Sequence, residues 1–116
     1  MRLVGPLFGY GCRDALTVEA DTARDVVRWP EEHEDFLKAL RSDFTAERAM
    51  SYADEASGSL SARFEVEAAD REAAEAIGRS VMTGALQRAG LQHTDAALAF
   101  LAATRVARPA LHVAST

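Results

Sequence analysis

Six side chains could carry chemistry in this sequence: Tyr10, Cys12, Trp29, His33, Tyr52 and Arg63. Cys12 stands in Gly9-Tyr10-Gly11-Cys12-Arg13-Asp14, where the adjacent Arg13 charge favours a nucleophilic thiolate. No histidine neighbours it to act as base. The plainer reading is a small residue packed in a glycine-rich turn or strand start. His33 sits within Glu31-Glu32-His33-Glu34-Asp35, a mixture of imidazole and carboxylates that can ligate divalent metal. Consecutive helix residues point in different directions, so this run cannot converge on one ion, and an acidic first turn is ordinary helix chemistry. No metal is expected there. His33 shares a helix side with Phe36 and Leu37, which places it at the core edge or facing a pocket. With His93 and His112 it would form a three-histidine site only if the fold gathered all three.

Trp29, the one tryptophan, precedes Pro30 and either packs under the following helix or lines a cleft with Tyr10 and Tyr52. Asp14, Glu19 and Asp21, or Asp54 and Glu55, could pair as general acid and base, but carboxylates are too common in an acidic chain to be informative. Gly5, Gly9 and Gly11 do not match a phosphate-cradling loop. They lack the strand-to-helix flanks of the dinucleotide pattern, and the only lysine, Lys38, is not in a Gly-Lys-Ser/Thr run. They read as turns, and no cofactor is expected.

The elements that must position these residues are clearer than their chemistry. The strongest is a helix over 70–91. Asp70 is its N-cap, Glu72 and Glu75 place negative charge near its positive end, and Gly90 followed by Leu91 stops it. Ala73, Ile77, Val81, Ala85 and Ala89 recur at spacings of four, with Met82 and Leu86 widening the apolar face. Gly78 inside it costs about 1 kcal/mol relative to alanine and points to close approach of a sheet. A second helix begins at Pro30 and ends near Arg41, burying Phe36, Leu37, Leu40 and, as a further candidate, Phe44.

Between the helices, 48–53 and 60–68 read as strands joined through Gly58. Leu60, Ala62, Phe64, Val66 and Ala68 alternate with polar residues, giving one buried and one solvated face. Before them, 15–19 and 25–29 read as a hairpin turning at 21–24. A short helix over 21–29 competes, and Val26-Val27 favours strand. The stretch 96–106 is apolar on both faces and fits a central strand or an alanine-rich helix. A returning central strand would complete a β-α-β-β-α-β unit. The tail over 112–116 is expected to fray.

The expected fold is therefore α+β: a two-layer sandwich, ferredoxin-like (β-α-β-β-α-β), with an extra N-terminal hairpin or strand, in a single domain of 116 residues. Thirteen basic residues against eighteen acidic ones leave a net charge of −5, and no two basic residues are adjacent. That disfavours nucleic acid and anionic membrane as partners. One cysteine permits no intrachain disulfide. The apolar runs are too short for a membrane span, and the first residues too short for a signal peptide, so a cytoplasmic location is the default expectation. Abundant alanine beside a single lysine reads as the codon bias of a GC-rich, bacterial genome.

Function is not written in these residues. With no convincing catalytic set, the first expectation is a non-catalytic, self-associating binding or accessory domain, a homodimer through the uncovered sheet face. The second is a small cofactor-independent enzyme of oxygenase or isomerase type, using Trp29, His33, Tyr52 or Arg63 around a cavity of roughly 300 Å³ or more between sheet and helices. The third is an adaptor that takes a protein partner on an exposed strand edge.

Overall fold

The computed structural model describes residues 14–106, so Tyr10, Cys12, the early glycines, His112 and the expected fraying tail lie outside the described residues. Strand β3 (Ser59–Ala68) carries the predicted alternation: Leu60, Ala62, Phe64, Val66 and Ala68 are all buried. It pairs antiparallel with β1 (Asp14–Thr22), whose Leu16, Val18 and Ala20 are buried on the same face. β2 (Glu47–Asp54) pairs with β3, and β4 (Leu98–Arg105) pairs with β1, both antiparallel. Among the described residues the sheet thus has four strands, in the order β2-β3-β1-β4.

Helices α1 (Pro30–Arg41) and α2 (Arg71–Arg88) follow β1 and β3 in the chain. Phe36 and Leu40 of α1, and Val81, Met82, Ala85 and Leu86 of α2, join the buried sheet residues in one core. Glu19, Asp21, Ser61 and Arg63, on the other side of β1 and β3, stay exposed. Gly78 lies so close to β1 that a Cβ there would meet Val18 Cγ1 at 2.7 Å, which is why a helix-weakening residue is kept. The ends of α2 are chemical as predicted. Asp70 Oδ1 accepts from the Ala73 N–H at 2.8 Å, and Gly90, at φ +77°, lets the Leu91 N–H reach the Leu86 carbonyl at 2.9 Å.

Three expectations are corrected. Residues 25–29 form no strand, so the hairpin preceding α1 does not exist. Asp25 takes φ 63°, and the Asp25 and Val27 N–H groups donate to the Ser57 and Gly58 carbonyls at 2.8 and 2.9 Å. The segment is laid against the β2–β3 turn, with Val26 driven into the core. The stretch 96–106 is mostly strand, after a short 3-10 turn at Asp95–Ala97, but among the described strands β4 lies at the edge of the sheet and not at its centre. Phe44 is 97% exposed in the loop after α1 and buries nothing.

Candidate functional site

The start of α1 is built around Trp29. Its carbonyl accepts from the Glu32 N–H at 3.0 Å, while Glu32 Oε1 accepts from the Trp29 N–H at 3.1 Å and the Arg28 N–H at 2.7 Å. This reciprocal closure fixes the backbone and leaves the indole outside the core, 63% exposed. One helical turn on, His33 is half-buried, and its Nε2 lies 3.2 Å from the Ser51 hydroxyl of β2. Trp29 and His33 share a groove of about 430 Å³ with Val27, Arg28, Pro30, Glu34, Ala53, Asp54, Glu55 and Gly58.

The far wall of this groove is the β2–β3 turn. The Gly58 N–H closes the turn on the Asp54 carbonyl at 2.8 Å, and Gly58 itself needs φ +72°. A Cβ at Gly58 would meet the Val27 carbonyl oxygen at 2.8 Å, so glycine lets the 25–27 segment seat beneath the turn. Asp54 accepts from the Ser57 hydroxyl and the Ala56 N–H, both at 3.0 Å. Those bonds, the Ser57 hydroxyl foremost, hold its carboxyl below the ordinary aspartate range.

Tyr52 and Arg63 lie elsewhere, on the sheet face the helices leave bare. Register sets Tyr52, Ser61, Asp21 and Phe100 in one row across all four strands, and Met50, Arg63, Glu19 and Ala102 in the next. These rows make a shallow trough of about 310 Å³, apolar at its two rims and polar on its floor. Arg63 Nε lies 3.9 Å from Glu19 Oε2, and the Ser61 hydroxyl donates to Asp21 at 2.8 Å. The sequence matches no protein-family model and no curated protein.

The structure thus unites two of the six sequence-selected residues, Trp29 with His33, and separates them from Tyr52 with Arg63. Strand parity decides the split: Ser51 and Ala53 face the helices, whereas Tyr52 faces away. Among the weighed carboxylates, Asp14, Glu19 and Asp54 each have a separate partner. Asp14 pairs with Arg105, Glu19 with Arg63, and Asp54 with its own turn. His93 Nδ1 contacts the Leu91 carbonyl at 3.1 Å, at the end of α2. Among the described residues, no group of three or more His, Cys, Asp or Glu side chains is placed to hold a metal ion. Likewise, no helix among them is long and apolar enough to cross a membrane.

Sequence reasoning missed Ser51, the turn wall and Phe100. The signal for Ser51 was its parity along β2. For Phe100 it was the absence of charge along the strand that bears it.

Proposed function

We propose that the chain is a non-catalytic, self-associating binding domain whose copies join along β4 as a homodimer. The element order β-α-β-β-α-β and the strand order β2-β3-β1-β4 support reading the scaffold as a ferredoxin-like two-layer sandwich. One observation carries the functional reading. Among the described strands β4 is a sheet edge, yet from Leu98 to Thr104 it bears no charge, and Phe100 stands 50% exposed on it. An edge strand without charged side chains of its own is a template for another strand.

The bonding pattern says which groups are on offer. The Val106 N–H donates inward to the Ala15 carbonyl, and the Ala103 N–H points outward, to Glu75 Oε2 at 3.3 Å. Alternation then turns the backbone groups of Leu101 and Arg105 outward as well. A second β4, antiparallel about a two-fold axis near Ala102, sets residues 100–104 against one another with no charge among them, places Arg105 opposite Ala99, and extends the sheet once Glu75 releases the Ala103 N–H. Sedimentation velocity at micromolar concentration tests this. A dimer that dissociates in Phe100→Lys/Ala102→Lys and persists in Tyr52→Lys supports it, and a monomer in the unaltered chain refutes it. Each introduced lysine lies opposite an acidic residue, Asp21 or Glu19, so the monomer keeps its fold.

A second reading, a small cofactor-independent enzyme, draws on the Ser51–His33 contact beside a groove larger than the roughly 300 Å³ a small substrate needs. A serine activated by histidine also requires a third group to orient the imidazole. Ser51 is the partner found for His33 among the described residues, and Ser51 does not line the groove. Labelling of Ser51 by a fluorophosphonate, lost in His33→Gln, would favour this reading; an unlabelled chain removes it.

A further inference from the structure

We propose that the groove between the start of α1 and the β2–β3 turn binds a small organic cation, an aryl- or alkylammonium seated on the Trp29 indole. This site is independent of the β4 edge. Its volume of about 430 Å³ suits a small molecule. A tryptophan face is the best aromatic surface for a cation, and this one is held out of the core by the Glu32 closure instead of packing under the helix.

Charge selects the ligand's sign. Glu34, Asp54 and Glu55 line the groove against one lining guanidinium, Arg28, with Arg24 outside the lining but within electrostatic reach of Asp54. Asp54 is fixed as a carboxylate by the turn that presents it. The positive end of α1 would otherwise repel a cation. Glu31 and Glu32 offset it, and Glu32 is bonded at that very end. The His33–Ser51 contact ties α1 to β2 and keeps the two walls at a set separation. An anion would meet three carboxylates, and a neutral ring would gain the indole contact without the charge.

The chain reports on this site itself, because Trp29 is its only tryptophan. The full chain is titrated with benzyltrimethylammonium, with neutral benzyl alcohol and with benzenesulfonate, following indole emission and, in parallel, heat. The expected result is saturable binding of the ammonium, roughly tenfold tighter than the alcohol, and no saturation with the sulfonate. Glu34→Gln, an exposed change that leaves far-UV dichroism and melting unaltered, weakens the ammonium several-fold. The inference is overturned if the ammonium fails to saturate by about 10 mM. Equal binding of the alcohol, tighter binding of the sulfonate, or unchanged affinity in Glu34→Gln overturns it too. The Phe100→Lys/Ala102→Lys variant binds like the unaltered chain.

Discussion

At the β2 side of the sheet, the outermost strand is bent and charged. Its register shifts between Glu47 and Met50, Arg48 takes φ 55°, and the Arg48 guanidinium reaches Glu65 at 3.3 Å. At the β4 side, the outermost strand carries one irregularity, opposite Asp21 and Thr22, and then runs regularly and uncharged to Arg105. Bulges and charges turn an edge away from other strands; their absence leaves it open. Among the described residues, one edge of the sheet thus carries a register shift and charges along its length, and the other runs uncharged as far as Arg105. Glu75, reaching from α2 to the Ala103 N–H, is the single side chain seen satisfying an outward group of β4 among the described residues.

The largest way to break this contrast is to remove what both edges hang on. Phe64 is fully buried at the centre of β3, and Phe64→Ala should cost about 3–5 kcal/mol, read as a fall in the urea midpoint. Both edges fail together. A change confined to the β4 strand behaves differently. Phe100→Lys/Ala102→Lys should weaken self-association by at least roughly tenfold, about 1.4 kcal/mol, with little loss of monomer stability. Tyr52→Lys, on the bare face but at the β2 side, should leave the dimer intact. If Tyr52→Lys dissociates it, copies meet through the sheet face and not the β4 edge.

Glu75→Ala sharpens the contrast with opposite signs in two measurements. The monomer loses a hydrogen bond to a charged group, a cost of about 1–3 kcal/mol, while the freed Ala103 N–H makes the dimer tighter. Thermal unfolding and sedimentation should therefore move in opposing directions.

Those expectations rest on features that were unevenly legible in the sequence. Both helices were, because capping residues and four-residue spacing report on the helix itself. Asp70, Gly90 and Pro30 do the same work in isolation as in the fold. β3 was legible because alternation encodes a two-sided environment. Residues 25–29 were misread because Val26-Val27 carries strand propensity, while the turn at Asp25 depends on docking to Ser57 and Gly58, far along the chain. β4 was misread as central because apolar composition records a demand for burial, not a count of neighbours. For the site, Trp29 and His33 were found together because they lie one turn apart. Tyr52 was grouped with Trp29 by chemical type, and strand parity turns it to the other face of the sheet.

The smallest effect belongs to the β2 edge. Asp54, at the end of β2, is fully exposed and has its carboxyl held below the usual aspartate range, first by the Ser57 hydroxyl and then by the Ala56 N–H. A depressed folded value means the carboxylate stabilises the fold at neutral pH. That contribution is intact above the unfolded aspartate value, about 3.9, and is lost as pH falls through the lower folded value. Asp54→Asn should erase this slight acid-side slope in melting temperature and leave self-association unchanged.

The most direct test of the β4 account is sedimentation velocity of the full chain across micromolar concentrations, run beside Phe100→Lys/Ala102→Lys and Tyr52→Lys. The account predicts a dimer for the unaltered chain and for Tyr52→Lys, and a folded monomer for the double lysine variant. A monomer at every concentration, or a dimer indifferent to lysines on β4, contradicts it.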